Sequence, residues 1–298
     1  LIISGLCNLQ AQVSPMTLDS AVSLAIKNQP NIKASTLEYE KAKLLQNLKY
    51  NLGSTHISYQ GDGLFDSQFG QQVNQIGFIQ NFPNRGITKA NNKLQNEIAD
   101  QSSYSMQISI NELKWKVRQN YLDIQYQKEL EKLYGMLTNT YSEYYDKALV
   151  RVKTGATNAI EALTLKSKWK EYDLLQRQAQ IEITNLNNQF QLLLNSGTGV
   201  TTMDSLLAYS LSSPLDNTRN IFLLQSKQSI AVETAKIEVM QSATKPGFNI
   251  GYALQNYQQG GWFNSAQIGI SIPLFNGQVK KHIEAQKMQV EIVNFQYE

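Results

Sequence analysis

Over most of the chain apolar residues recur every three or four positions, and in four short stretches the period falls to two. The longest run of the first kind passes through Ala90, Leu94, Ile98, Met106, Ile110, Leu113, Val117, Tyr121, Ile124, Leu130, Leu133, Leu137, Tyr141, Tyr144 and Ala148. It predicts one helix from about Thr88 to Val152, about 95 Å long at 1.5 Å per residue. Gly135 weakens that helix by about 1 kcal/mol without ending it. Lys153 to Asn158 reads as a tight helix-to-helix turn, with Gly155 as the left-handed terminator. A return helix shows the same seam at Ile160, Leu163, Tyr172, Leu175, Ala179, Ile183, Leu186, Phe190 and Leu193, and Asn195-Ser196-Gly197 stops it. Helices of this length outrun an ordinary globular core and suit an antiparallel coiled-coil hairpin.

Ahead of the hairpin, Thr17 is placed to cap a short helix carrying Leu18, Val22, Ala25 and Ile26. Asn28-Gln29-Pro30-Asn31 interrupts it, and a second amphipathic stretch runs from about Ile32 to Tyr50. The period-two stretches are Thr55 to Gln60, Val73 to Phe82, Phe248 to Gln255 and Gln267 to Ile272, each about ten residues once its flanks are counted. Loops are expected at 61–71 and 257–264. In the strands Ile76, Phe78, Phe248, Ile250, Tyr252, Leu254, Ile268, Ile270 and Ile272 fall on one face, opposite Gly, Ala, Ser, Asn and Gln. Gln80 breaks the alternation. Such a wall suits lipid on one side and water on the other, and strands of this length cross a hydrocarbon layer when tilted. A half-buried sheet in a soluble protein gives the same alternation. Pro83 and Pro273 close their strands, because proline cannot continue a ladder yet can open a helix.

The order helix, strand, loop, strand, proline, helix occurs twice. Ile221 stands 189 residues after Ile32, and Pro273 stands 190 after Pro83. So long a period marks a duplicated half-molecule rather than a solenoid. Three segments follow: a secretory leader remnant over 1–11, a first repeat over 12–204 with its hairpin at 54–83 and helix pair at 87–195, and a second repeat over 205–298 with its hairpin at 246–273. The second repeat is expected to lack roughly a hundred residues, the length of the equivalent helices in the first. Leu1 to Leu6 reads as the tail of an apolar export signal with cleavage after Ala11, and Cys7 as part of that leader.

Each hairpin begins and ends in a helix, so the helices belong at one end of the strands. Four strands cannot close a transmembrane barrel, and open edges are forbidden in lipid. The expected fold is therefore mainly α with β: long antiparallel coiled-coil helices forming an α-barrel, and four strands contributing to a trimeric twelve-stranded β-barrel.

Composition removes other readings. Of 298 residues 42% are hydrophobic, and 27 basic against 24 acidic residues give a formal charge of +3. The charges are dispersed, which disfavours nucleic acid as partner. One cysteine excludes a multi-cysteine metal site. Neither His56 nor His282 has a second ligand one helical turn away. Glu112, Asp123 and Glu129 to Glu131 read as solvated helix charges, and Gly197-Thr198-Gly199 lacks the lysine of a phosphate loop. Tyr141, Tyr144 and Tyr145 are expected to pack between helices. No nucleophile, base and orienting group converge, so neither enzyme activity nor a cofactor is expected.

The opening Leu18-Asp19-Ser20-Ala21-Val22 through Asn28-Gln29-Pro30-Asn31-Ile32, the strand ends Asn81-Phe82-Pro83-Asn84-Arg85-Gly86 and Ile270 to Gly277, and the turn Arg151 to Ala156 together resemble the TolC family of outer-membrane efflux factors. Ile272-Pro273-Leu274-Phe275-Asn276-Gly277 after an alternating strand carries the resemblance most specifically. It implies a homotrimeric passive duct in the outer membrane of a Gram-negative bacterium, with its helical part in the periplasm. An inner-membrane pump and a periplasmic adaptor, or membrane fusion protein, would supply the substrate. It further implies that Pro83, Pro273, Phe275 and Gly277 form the strand-end motif and that Arg151, Thr154 and Gly155 meet the adaptor. The competing reading is a secreted or periplasmic coiled-coil scaffold or adhesin without a channel.

Overall fold

A computed structural model describes residues 14–46, 52–61, 73–197, 200–203, 220–257, 261–273 and 276–297. The leader over 1–11 and Phe275 lie outside the described residues. Among the described residues there are six helices: α1 (Leu18–Asn28), α2 (Pro30–Leu45), α3 (Arg85–Lys153), α4 (Ala159–Leu194), α5 (Ile221–Ala243) and α6 (Gly277–Tyr297). Six strands accompany them: β1 (Ser14–Met16), β2 (Thr55–Gly61), β3 (Val73–Phe82), β4 (Val200–Thr202), β5 (Gly247–Tyr257) and β6 (Gly261–Ser271). The chain forms two compact units, 1–34 with 108–215 and 35–107 with 216–298. Each unit takes residues from both sequence repeats.

The first unit is built around α1, the distal part of α3 and α4. Thr17 caps α1 by accepting the Ser20 N–H at 3.4 Å. Leu18, Ala21, Val22 and Ala25 of α1 pack with Val117, Tyr121 and Ile124 of α3 and with Leu186, Phe190 and Leu194 of α4. The period of three or four that predicts the helices thus also supplies their shared core. Tyr121 and Phe190 meet edge to face, their ring centroids 6.0 Å apart. The Tyr121 hydroxyl donates to the Met16 carbonyl at 2.9 Å and accepts the Met203 N–H at 3.3 Å.

That hydroxyl joins α3 to a two-stranded parallel sheet, β1 beside β4, which the sequence reading lacks. Strands of three residues carry too little alternation to register against a helical background. Gln125 Nε2 donates to the Met203 carbonyl at 3.0 Å, and Lys128 Nζ to the Thr202 carbonyl at 3.1 Å, so α3 side chains cover this small sheet's backbone.

Asn28-Gln29-Pro30 does more than interrupt a helix. Proline disfavours helical geometry in the residue before it, and Gln29 is extended at ψ 123°. The break aims Asn28 and Gln29 at the end of α4. Gln29 Nε2 donates to the Leu192 carbonyl at 2.8 Å and the Leu193 carbonyl at 2.7 Å, and Asn28 Nδ2 to the Leu194 carbonyl at 3.4 Å. These carbonyls have no partner inside the helix they end. Asn195, in the left-handed region at φ 45°, completes the stop, and its side-chain amide donates to the Asn28 carbonyl at 3.2 Å.

The second unit holds an antiparallel sheet of order β2-β3-β5-β6 with the proximal part of α3, α5 and α6. Small and polar residues let α3 and α5 approach: Ala90, Ala99, Val232 and Ala235 are buried. Gln101 Nε2 reaches Ser229 Oγ at 2.9 Å, and Gln228 Nε2 reaches Glu97 Oε2 at 2.6 Å. On α6, Gln286 Nε2 donates to Glu233 Oε2 of α5 at 2.5 Å. The last strand is longer than its alternation suggests, starting at Gly261 instead of about Gln267. Trp262 to Asn264, read as loop from the glycines before them, therefore belong to the sheet.

Phe190 is fully buried against Tyr121. Phe190→Ala is expected to cost about 3–5 kcal/mol, seen as a lower denaturant midpoint of the helical circular dichroism signal.

Candidate membrane-facing sheet and helical tip

The strand register fixes which residues share a face. Ile57 is level with Phe78, Phe78 with Tyr252, and Tyr252 with Ala266, while Gln80 is level with Ile250 and Ile250 with Ile268. One face thus carries Ile57, Tyr59, Ile76, Phe78, Phe82, Phe248, Ile250, Tyr252, Leu254, Ile268 and Ile270. The other carries His56, Ser58, Gln60, Gln75, Gly77, Asn81, Asn249, Gly251, Ala253, Gln255, Ser265, Gln267 and Gly269.

The apolar face is not covered by the chain's own helices. Ile268 is 84% exposed, Ile57 80% and Phe248 56%, and Ile76, Phe78, Ile250, Ile270 and Ile272 are each exposed by nearly half or more. Tyr252 and Leu254 are also exposed. Of the nine residues placed on this face from the sequence, the register puts eight there, and Ile272 lies past the end of β6. The polar face is the crowded one. Gly77 and Gly251 are buried, Ala253 is 8% exposed, and a Cβ on Gly77 would stand 3.1 Å from that of Ala253. A Cβ on Gly269 would collide with the Asn249 amide. Side chains that crowd on one face and splay on the other mark a sheet curved toward the crowded side, and small residues there permit the curvature.

None of the four strands contains Asp, Glu, Lys or Arg. Two polar residues do share the apolar face near the helical end, Thr55 and Gln80. Gln80 accepts from the Thr55 hydroxyl and donates to the Gly53 carbonyl at 2.8 Å and the Asn81 carbonyl at 2.9 Å. The break in alternation at Gln80 is thus a hydrogen-bonded tie, with the amide satisfied. Two departures occur on the polar face as well, where Ile79 and Phe263 stand by register. β2 and β6 are the edge strands.

At the helical end the strand-end prolines come together. Pro83 and Pro273 line one cavity of about 270 Å³ with Ile87, Lys245 and Ile272. Asn84 Oδ1 accepts the Gly86 N–H at 2.6 Å, and Asn84 Nδ2 donates to the Pro246 carbonyl at 3.3 Å, so one side chain caps α3 and ties it to the start of β5. Gly277 opens α6.

The α3–α4 turn is a glycine-stopped helix end. Gly155 has φ +75°, the Ala156 N–H returns to the Arg151 carbonyl at 2.8 Å and the Gly155 N–H to the Val152 carbonyl at 3.1 Å. Asn158 caps α4 by accepting the Glu161 N–H at 3.1 Å. Arg151 Nη1 pairs with Glu161 Oε1 at 3.1 Å, Thr157 donates to the same carboxylate, and Thr154 Oγ1 donates back to the Val150 carbonyl at 3.2 Å. Arg151, Thr154 and Gly155 thus hold the turn itself. Around it Val150, Ile160 and Leu163 are exposed by 61%, 71% and 67%. This corrects the sequence reading, which put Ile160, Leu163 and Leu133 on the buried seam. The buried positions of α4 are Ala162, Ala179, Leu186, Phe190 and Leu194, and the displaced residues belong to a second apolar stripe continued by Leu174, Ile181 and Leu192.

Above the tip Tyr141 and Tyr145 pack against α4 as expected, whereas Tyr144 is exposed and meets Tyr141 on its own helix. Tyr141 lies 5.2 Å from Tyr172, and Tyr145 stacks on Trp169 at 6.1 Å. The Lys168 ammonium is held above its ordinary range by its hydrogen bond to Glu171. Among the described residues no three His, Cys, Asp or Glu side chains gather as metal ligands, and no helix is long and apolar enough to cross a membrane.

Within the described residues a curved sheet without Asp, Glu, Lys or Arg passes into long helices. Solved structures share this fold. CusC, described in terms of folding and transmembrane channel formation, aligns over 99% of this chain and 74% of its own at 16% identity and a TM-score of 0.77. The outer membrane protein VceC of Vibrio cholerae aligns over 94% and 74% at 11% identity and 0.73. The outer-membrane channel CmeC of Campylobacter jejuni aligns over 94% and 66% at 13% identity and 0.71. The fold is that of the TolC-type outer-membrane channels. No family model matches the sequence, and no curated protein does.

Gly155→Ala places a Cβ at positive φ and is expected to cost about 1 kcal/mol, read as a lower unfolding midpoint, with Gly155→Asn closer to the parent.

Proposed function

We propose that the chain is one protomer of a passive outer-membrane duct that carries substrates out of a Gram-negative cell. The observation that carries this reading is the sheet: an apolar face left open, an uncharged polar face curved inward, and an edge strand on either side. Lipid satisfies the first and a water-filled lumen the second. Other copies satisfy the edges, since a spanning sheet must close. Three copies supply twelve strands, and the solved channels of the same fold support the outer membrane as the location. The exposed second stripe on α4 and its counterpart Trp115, Tyr126 and Met136 on α3 suit further helices packed around a hollow bundle.

Energy and selection of substrate would come from elsewhere, an inner-membrane pump working through a periplasmic adaptor. The tip turn is the contact assigned to that adaptor. Arg151, Thr154 and Gly155 set its shape, and Val150, Ile160 and Leu163 offer the apolar surface. Efflux and protein secretion both use such a duct.

Two measurements test the reading. Full-length protein in detergent should run as a trimer and give single-channel currents in planar bilayers; a monodisperse monomer in plain buffer would favour the scaffold reading. Substitution of the sheet discriminates independently. Ile268 is so exposed that arginine there costs little if water covers it. Facing lipid, Ile268→Arg is expected to cost about 2–4 kcal/mol at mid-bilayer, read as loss of heat-resistant trimer, while Gln267→Arg next to it is tolerated.

A further inference from the structure

The polar face of the sheet lacks something that a wet wall is free to carry. Lipid demands that the apolar face be uncharged, yet the other face is under no such demand, and it too has no Asp, Glu, Lys or Arg. It is built from amides, hydroxyls and glycine, with Gln75 and Gln255 hydrogen-bonded across two strands at 3.2 Å. A charged wall would concentrate ions of one sign and repel the other; an amide wall does neither. One side chain on this face can change that. His56 lies on it by register, level with Ile79, and is exposed.

We infer that the β-section is an electrically neutral conduit open to solutes of either charge, and that His56 is the residue that gives it a preference for anions on acidification. The inference rests on the channel reading above. Its geometry is simple. His56 Nε2 lies 3.0 Å from Ser54 Oγ, which also accepts from Asn81 Nδ2 at 3.2 Å. The groups around the ring are Ser54 and Ser58 beside it in the chain and Ile79 and Asn81 on β3, and among these described neighbours there is no carboxylate to offset a charge placed there. The described strands hold no other histidine and no carboxylate or ammonium side chain. Histidine alone among ordinary side chains changes charge between pH 5 and 8. A closed trimer would carry three copies of His56 around one lumen.

The test uses full-length protein in planar bilayers under a potassium chloride gradient, with reversal potentials read at pH 8 and pH 5. Wild type and His282→Gln, whose histidine lies on α6 outside the sheet, should show the chloride-to-potassium permeability ratio rise by about two-fold on acidification. His56→Gln should show no rise while conducting as well as the parent. A rise that persists in His56→Gln overturns the assignment and leaves the channel standing. Absence of any current from inserted wild-type trimers overturns both.

Discussion

The structure depends on a sheet that cannot be left as it stands in water. Its apolar face places phenylalanine and isoleucine in the open, and its two edge strands present backbone groups to whatever lies beside them. In water that combination is an aggregation template. In lipid the exposed face becomes favourable, but an unpaired edge becomes more costly, because no water reaches it. Only closure into a cylinder with further strands resolves both at once. The inner glycines and alanine follow from the same demand, since a sheet that closes must bend and the inner face must yield room for it.

The helical parts obey a different economy, in which polar side chains finish what the backbone leaves open. Asn28 and Gln29 cover the carbonyls at the end of α4, Asn195 covers that of Asn28 at the end of α1, Asn84 caps α3, and Asn158 caps α4. Each sits where a helix must stop for the chain to change direction. Tyr121 combines both principles, its ring in the core and its hydroxyl joined to the backbone of two short strands.

Much of this is legible in the sequence because it rests on period. The long helices, the turn at Gly155, the alternating strands and their faces depend on spacing alone, and spacing survives without contacts. What is not legible depends on partners. The pairing of β1 with β4 joins segments far apart in the chain. The start of β6 is hidden by glycines and by Phe263, which stands on the polar side. Gln80 looks like an error in the pattern until Thr55 and two carbonyls are seen around it. Ile160 and Leu163 were misplaced for a related reason: α4 bears two apolar stripes, and periodicity finds both without telling which one the hairpin itself buries. The tip residues Arg151 and Thr154 were legible as a turn, but not their ties to Glu161 and Val150.

The same distinction bears on what the fold shares with its solved counterparts. At 11–16% identity few individual side chains are common, so what is shared is the fold. At the tip Arg151 is held by Glu161 through a partly exposed ion pair, which contributes about 0–1 kcal/mol to stability. So weak a tie orients the arginine toward α4 without fixing it there. Val150, Ile160 and Leu163, by contrast, gain on burial at about 25 cal/mol per Å² of apolar surface. A partner that covered the tip would therefore draw its affinity first from those three side chains.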